Sequence, residues 1–141
     1  MKVLSWIGGL LGGPAQLGSA ALGRLGEKKA AAYLARQGLE ILARNVRLAG
    51  AELDLVACQG DRLVFIEVKS TRAGSWSTGF EKIDAAKRRC LRRACRAYLQ
   101  RLSPEPSSYR FDCITVHFGE QRFWPRVLQI RWEQGLFTVD K

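Results

Sequence analysis

The 141 residues predict an α/β domain, a β-sheet flanked by helices, and three observations carry that reading. The stretch Ala51–Lys69, AELDLVACQGDRLVFIEVK, reads as two strands joined by a tight turn. Helical apolar spacing precedes it as far as Gly38 and follows it from Glu81. Alternating residues then resume at Tyr109, YRFDCITVHF, and continue toward the C-terminus. With 47% apolar residues the chain can bury one core.

Met1–Leu22 is Gly-rich and apolar, with one Lys and no acid. Its apolar run, Val3–Leu11, is broken by Gly8 and Gly9 and is too short to span a bilayer. Residues 1–22 therefore read as an N-terminal extension, a membrane-seeking or cleaved segment being the alternative, and residues 23–141 as a single domain. Stable membrane insertion is not expected.

Leu22–Gln37 is the first helix, closed by Gly38 at the C′ position. Glu27, Ala30, Ala31 and Leu34 share one stripe, which places a carboxylate on the face that should meet the sheet. Glu27 either reaches a metal or cation or only favours the positive end of the helix dipole. Leu39–Leu48 is a strand leading into the hairpin, and its Arg44 and Arg47 serve either a phosphate surface or solvent.

The hairpin strands are Glu52–Gln59 and Arg62–Lys69, with Gly60-Asp61 as a type II′ turn. The register that sets Gln59 opposite Arg62 sets Asp54 opposite Glu67 and Glu52 opposite Lys69. All four share one face, and Leu53, Leu55, Ile66 and Val68 point to the other. Opposed carboxylates with Cβ atoms about 4.5–5.5 Å apart repel unless a cation lies between them. Oxygen donors select a hard ion, Mg²⁺ or Mn²⁺. The alternative is a surface hairpin whose acids face water and pair with Arg62, Lys69 or Arg72.

Ser70–Gly79 is a polar loop leaving the end of that hairpin. Trp76, its one large residue, could stack on a base or anchor the loop to the core. Glu81–Leu102 is the second helix, with Ile83, Cys90, Leu91, Ala94 and Tyr98 on its buried side. Lys82, Arg89, Arg92, Arg93 and Arg96 lie opposite. Lys87 falls in the apolar sector, where it must snorkel outward or meet an anion. Eight cations against Asp84 give the segment from Lys82 to Arg101 seven of the chain's ten net positive charges. So one-signed a stripe suits nucleic-acid phosphates better than solvent alone.

Ser103–Ser108 is a proline-containing linker. Tyr109–Phe118 is a strand burying Phe111 and Cys113 or the complementary set, and Asp112 caps or pairs with a basic residue. Arg122–Trp132 is a further strand after Gly119-Glu120, and Leu136–Val139 a last extended piece.

The balance of 23 basic against 13 acidic residues gives a net charge of +10 and a pI near 10, which suits a polyanionic partner. Cys58, Cys90, Cys95 and Cys113 have no C-x-x-C spacing and His117 is the single histidine, so no zinc site is read. Four reduced cysteines suit a cytoplasmic protein. The sequence has no phosphate-cradling glycine loop and no Ser/His/Asp arrangement.

In GEKKAAAYLARQGLEILARN, AELDLVACQGDRLVFIEVKS and KIDAAKRRCLRRACRAYL, over about Gly23–Val116, the chain resembles the bacterial family UPF0102, also called the YraN family. That family is similar to the PD-(D/E)xK nucleases and especially to archaeal Holliday-junction resolvases. The resemblance implies a restriction-endonuclease-like mixed sheet flanked by helices and Mg²⁺- or Mn²⁺-dependent phosphodiester cleavage, on DNA rather than RNA and on branched DNA in particular. It assigns Asp54 and Glu67 as metal ligands, Lys69 as the catalytic lysine and Glu27 as an additional catalytic acid. Glu52 matches a family acid and Lys87 a family helix lysine. Lys87, Arg88, Arg89, Arg92, Arg93 and Arg96 form the expected nucleic-acid surface, with Trp76 a further candidate. Ala51 stands where the family usually has Gly, and Ser75–Glu81 departs from its usual loop. A non-catalytic nucleic-acid-binding module of the same fold is the alternative.

Overall fold

Helix α1 (Ser19–Arg36) stops where its glycine dictates. Gly38 sits at φ +89°, and the amides of Gly38 and Leu39 donate to the carbonyls of Ala35 (3.1 Å) and Leu34 (3.0 Å), a Schellman cap. Ala30, Ala31 and Leu34 are buried as the stripe requires, with Glu27 at its half-buried edge. The helix begins at Ser19, so Leu22, placed in the extension by sequence, is part of the core. Gly26 lets helix and sheet meet closely, because a Cβ there would fall 1.8 Å from Ser70 Oγ. The computed structural model describes residues 17–73, 83–120 and 124–137.

Five strands follow, β1 (Glu40–Leu48), β2 (Ala51–Gln59), β3 (Arg62–Arg72), β4 (Ser108–Phe118) and β5 (Val127–Phe137), with helix α2 (Ala85–Leu99) between β3 and β4. Their order is β1-β2-β3-β4-β5, parallel only between β3 and β4. A parallel pair needs a crossover, and α2 supplies it. Among the described residues, this mixed five-stranded sheet with two helices is an α/β fold consistent with a restriction-endonuclease-like arrangement. Among the described residues no helix is long and apolar enough to cross a membrane.

Each helix covers one face. Beneath α1, Leu34 packs with Leu55, Val64, Ile66, Ile114, Val116 and Phe118; beneath α2, Leu91, Ala94 and Cys95 pack with Leu53, Val56, Phe65 and Phe111. Strand β4 is therefore buried on both sides, and Phe111–Phe118 are buried without alternation, not one set of them alone.

Several boundaries differ from the sequence reading. Ser70–Arg72 continue β3 instead of opening a loop, because they pair with Val116, His117 and Phe118 of β4. Helix α2 starts at Ala85, where Asp84 Oδ1 accepts from Lys87 N at 2.8 Å as an N-cap. Its buried stripe is Leu91, Ala94, Cys95 and Leu99, with Cys90 and Tyr98 half-buried at the edges. The last two extended pieces are one strand, since Leu136 and Phe137 belong to β5. The loop residues 74–79, Trp76 among them, lie outside the described residues.

Candidate functional site

The expected hairpin register is present from Gln59↔Arg62 to Leu55↔Ile66, around a turn whose Gly60 has φ +60°. There the regular strand pairing ends. Val68 N donates to Asp54 Oδ2 at 2.8 Å, a side-chain oxygen standing in for a strand carbonyl. On the neighbouring strand Asn45 adopts φ +51°, a left-handed conformation that Asn tolerates better than most residues. Alternation slips at this point. Leu53 packs beneath α2 while Leu55, Ile66 and Val68 pack beneath α1, which corrects the expectation that all four share a face.

The slip leaves an opening between β2 and β3 around which acids gather from two strands and a helix, Glu52 and Asp54 from β2, Glu67 from β3 and Glu27 from α1. Glu67 is 5% exposed. Its Oε1 accepts from Lys87 Nζ at 2.6 Å and from Lys69 Nζ at 3.1 Å. Burial, and next the charge of Glu67, push the Asp54 carboxyl up to about 7 against the opposing pull of the Val68 amide. Burial likewise raises the Glu27 carboxyl, opposed by its bond to Asn45 and reinforced by Glu52 and Glu67.

Asn45 ties the outer acids together. With its amide nitrogen turned toward them, the orientation in which donor faces acceptor, it donates to Glu27 Oε2 at 3.1 Å and to Glu52 Oε1 at 3.0 Å. Arg47 Nε lies 3.6 Å from the other Glu52 oxygen. The fold thus gathers Glu27, Glu52, Asp54, Glu67, Lys69 and Lys87 at one place. Sequence reading missed Asn45 as a site residue, although an Asn within a strand is a signal of left-handed backbone.

Among the described residues no three His, Cys, Asp or Glu side chains form a group able to hold a metal. What the opening offers is two adjacent carboxylates of hard oxygen, kept together at an electrostatic cost. That donor set fits Mg²⁺ or Mn²⁺, which take one or two carboxylates and complete their shell with water and phosphate.

Beyond Lys69 the same face of β3 carries Thr71, whose Oγ1 lies 2.6 Å from His117 Nδ1 on β4. Burial, then the charge of Arg131, lowers the His117 pKa, so the imidazole is neutral at pH 7. This pair is not legible in the sequence, because it depends on the parallel pairing of β3 with β4.

The cations of α2 divide by position. Lys87 turns inward to Glu67, and Arg88 Nε donates to the Ile83 carbonyl at 3.2 Å. Arg89, Arg92, Arg93 and Arg96 line a surface depression of about 560 Å³ with Ala86 and Cys90. Arg92 also lies over the Phe137 ring, 5.0 Å from its centroid.

The profile of the Uncharacterised protein family UPF0102 matches residues 26–116, which include every one of these side chains except those of β5 and His117. A UPF0102 protein of Symbiobacterium thermophilum is 45% identical over 98 residues, 70% of this chain and 83% of the relative. One from Pseudomonas paraeruginosa is 40% identical over 120 residues, 83% of this chain and 92% of the relative. One from Moorella thermoacetica is 39% identical over 115 residues, 82% of this chain and 93% of the relative.

Proposed function

The chain belongs to the uncharacterised protein family UPF0102, and from that premise we propose that it is a metal-dependent phosphodiesterase, an endonuclease acting on DNA in the cytoplasm, with branched DNA as a candidate substrate. One observation carries the reading. The fold places Asp54 beside Glu67 despite their repulsion and sets Lys69 Nζ 3.1 Å from a Glu67 oxygen. A protein that only bound polyanions would gain nothing from two carboxylates facing its ligand.

Asp54, Glu67 and the Val68 carbonyl would hold Mg²⁺ or Mn²⁺, which when bound supplies Lewis acidity toward the phosphate. Lys69 orients or helps deprotonate the attacking water and neutralises charge developing on the phosphate oxygens. Glu27 and Glu52, fixed by Asn45, supply negative charge around that centre. Arg89, Arg93 and Arg96 hold the nucleic-acid backbone by contacts that salt weakens.

A non-catalytic nucleic-acid-binding module is the second reading, favoured by the arginine-lined depression on α2. The two separate in a cleavage assay on duplex, single-stranded and branched DNA and on RNA, with Mn²⁺ or EDTA. Mn²⁺-dependent product from purified protein supports the enzyme. Binding without product on the whole panel supports the module.

A further inference from the structure

Two ammonium groups converge on one carboxylate oxygen, and they are not equivalent. Lys69 lies two residues from Glu67 on the same strand, so its tether keeps it at the site. Lys87 reaches the same Glu67 Oε1 from the first turn of α2, with a side chain 37% exposed against 26% for Lys69. Its backbone amide is bound by the Asp84 cap, which places it at the positive end of the helix dipole. A cation there is disfavoured by the helix itself. Glu67 is what holds it, its Oε1 accepting from the Lys87 ammonium at 2.6 Å.

We propose that Lys87 is an exchangeable counter-cation that occupies Glu67 until a divalent ion takes its place, and that the displaced ammonium then engages a phosphate of the nucleic acid. This rests on the nuclease reading and adds to it a coupling between metal and substrate. A divalent ion at Glu67 removes the anion that holds Lys87 and repels its ammonium, while the helix dipole opposes its staying. A nearby phosphate offers the outward-swung lysine a new partner. The linkage is reciprocal: a phosphate that draws Lys87 away leaves Glu67 free, so nucleic acid tightens metal binding as metal tightens nucleic-acid binding. Lys69 stays with the site in both states.

The test measures Mn²⁺ affinity, read from the free-ion electron paramagnetic resonance signal, for the parent, Lys87→Gln and Lys87→Arg at fixed pH and salt. Lys87→Gln should bind Mn²⁺ about fivefold or more tightly than the parent, and Lys87→Arg should restore weaker binding. The same titration with an intact DNA duplex is made in a Lys69→Ala background, which the nuclease reading makes inert. Duplex should tighten Mn²⁺ binding in Lys69→Ala and not in Lys69→Ala/Lys87→Gln. Equal or weaker Mn²⁺ binding by Lys87→Gln overturns the exchange and leaves the metal site standing. Tighter binding with unchanged duplex coupling overturns the transfer to phosphate. No Mn²⁺ binding by parent or variants, with or without duplex, removes the metal site and the nuclease reading together with the exchange.

Discussion

The carboxylate of Asp54 receives the Val68 amide at 2.8 Å, at the point where β2 parts from β3. One side chain thereby replaces a piece of backbone pairing and stands next to Glu67. Its burial there and the charge of Glu67 raise the Asp54 pKa, and the proposed chemistry rests on the same pair.

Asp54→Asn should stabilise the metal-free protein near neutral pH. The folded carboxyl titrates at about 7, above the unfolded value of about 3.9, so the fold binds this proton more tightly. Parent stability in EDTA therefore rises as pH falls from 7 toward 4, and the penalty is complete above 7. Asn can still accept from Val68 and carries no charge. We expect a gain of about 1–2 kcal/mol at pH 8, after allowance for solvent screening, that shrinks to nothing near pH 4. Urea unfolding across that range checks it, and a variant less stable than the parent at pH 8 would contradict it.

Asp112 should matter for stability alone. Fully buried, it accepts from Arg110 Nε at 3.0 Å, Trp132 Nε1 at 2.9 Å and Gly135 N at 2.9 Å, the last at the irregularity in β5 where Gly135 has φ +66°. Asp112→Ala strands the largely buried Arg110 guanidinium and should cost about 3–5 kcal/mol. Denaturant midpoints read the loss, while Mn²⁺ affinity of the remaining folded protein should be unchanged.

The arginines of α2 should govern salt dependence. If Arg89, Arg93 and Arg96 each neutralise one phosphate, replacing all three by Gln should lower the slope of log affinity against log salt by about three and weaken binding to all sequences alike. Arg92 is left in place because its stacking on Phe137 contributes to the fold. An unchanged slope would mean that this face is only solvated.

How far the sequence reveals this structure depends on how local each cause is. Gly38 and Gly60 end a helix and turn a hairpin through their own backbone freedom, so both features are legible. The turn between β1 and β2 is not, because Ala49 at φ +50° occupies a position where Asn or Gly would announce it. Alternation placed Asp54 beside Glu67 correctly, yet it could not foresee the slip that sends Leu53 to the other core. The run of β5 through Gly135 depends on Asp112, 23 residues away. Lys87 stood out as a cation in an apolar sector, and its partner became visible only when α2 was laid on the sheet.

The most direct measurement of the central claim is product formation by parent, Asp54→Asn and Lys69→Ala on the nucleic-acid panel, with equilibrium binding recorded at the same salt, in Mn²⁺ and in EDTA. Asp54→Asn removes a metal ligand and one negative charge facing the phosphates, so cleavage should vanish while binding stays equal or tightens. Lys69→Ala acts on the water and the developing charge, so it too should abolish cleavage while Mn²⁺ affinity is retained. Cleavage by parent alone, and only with Mn²⁺, is the predicted result. Cleavage by Asp54→Asn at the parental rate, or no Mn²⁺-dependent cleavage by highly purified parent on any substrate, would contradict the catalytic assignment.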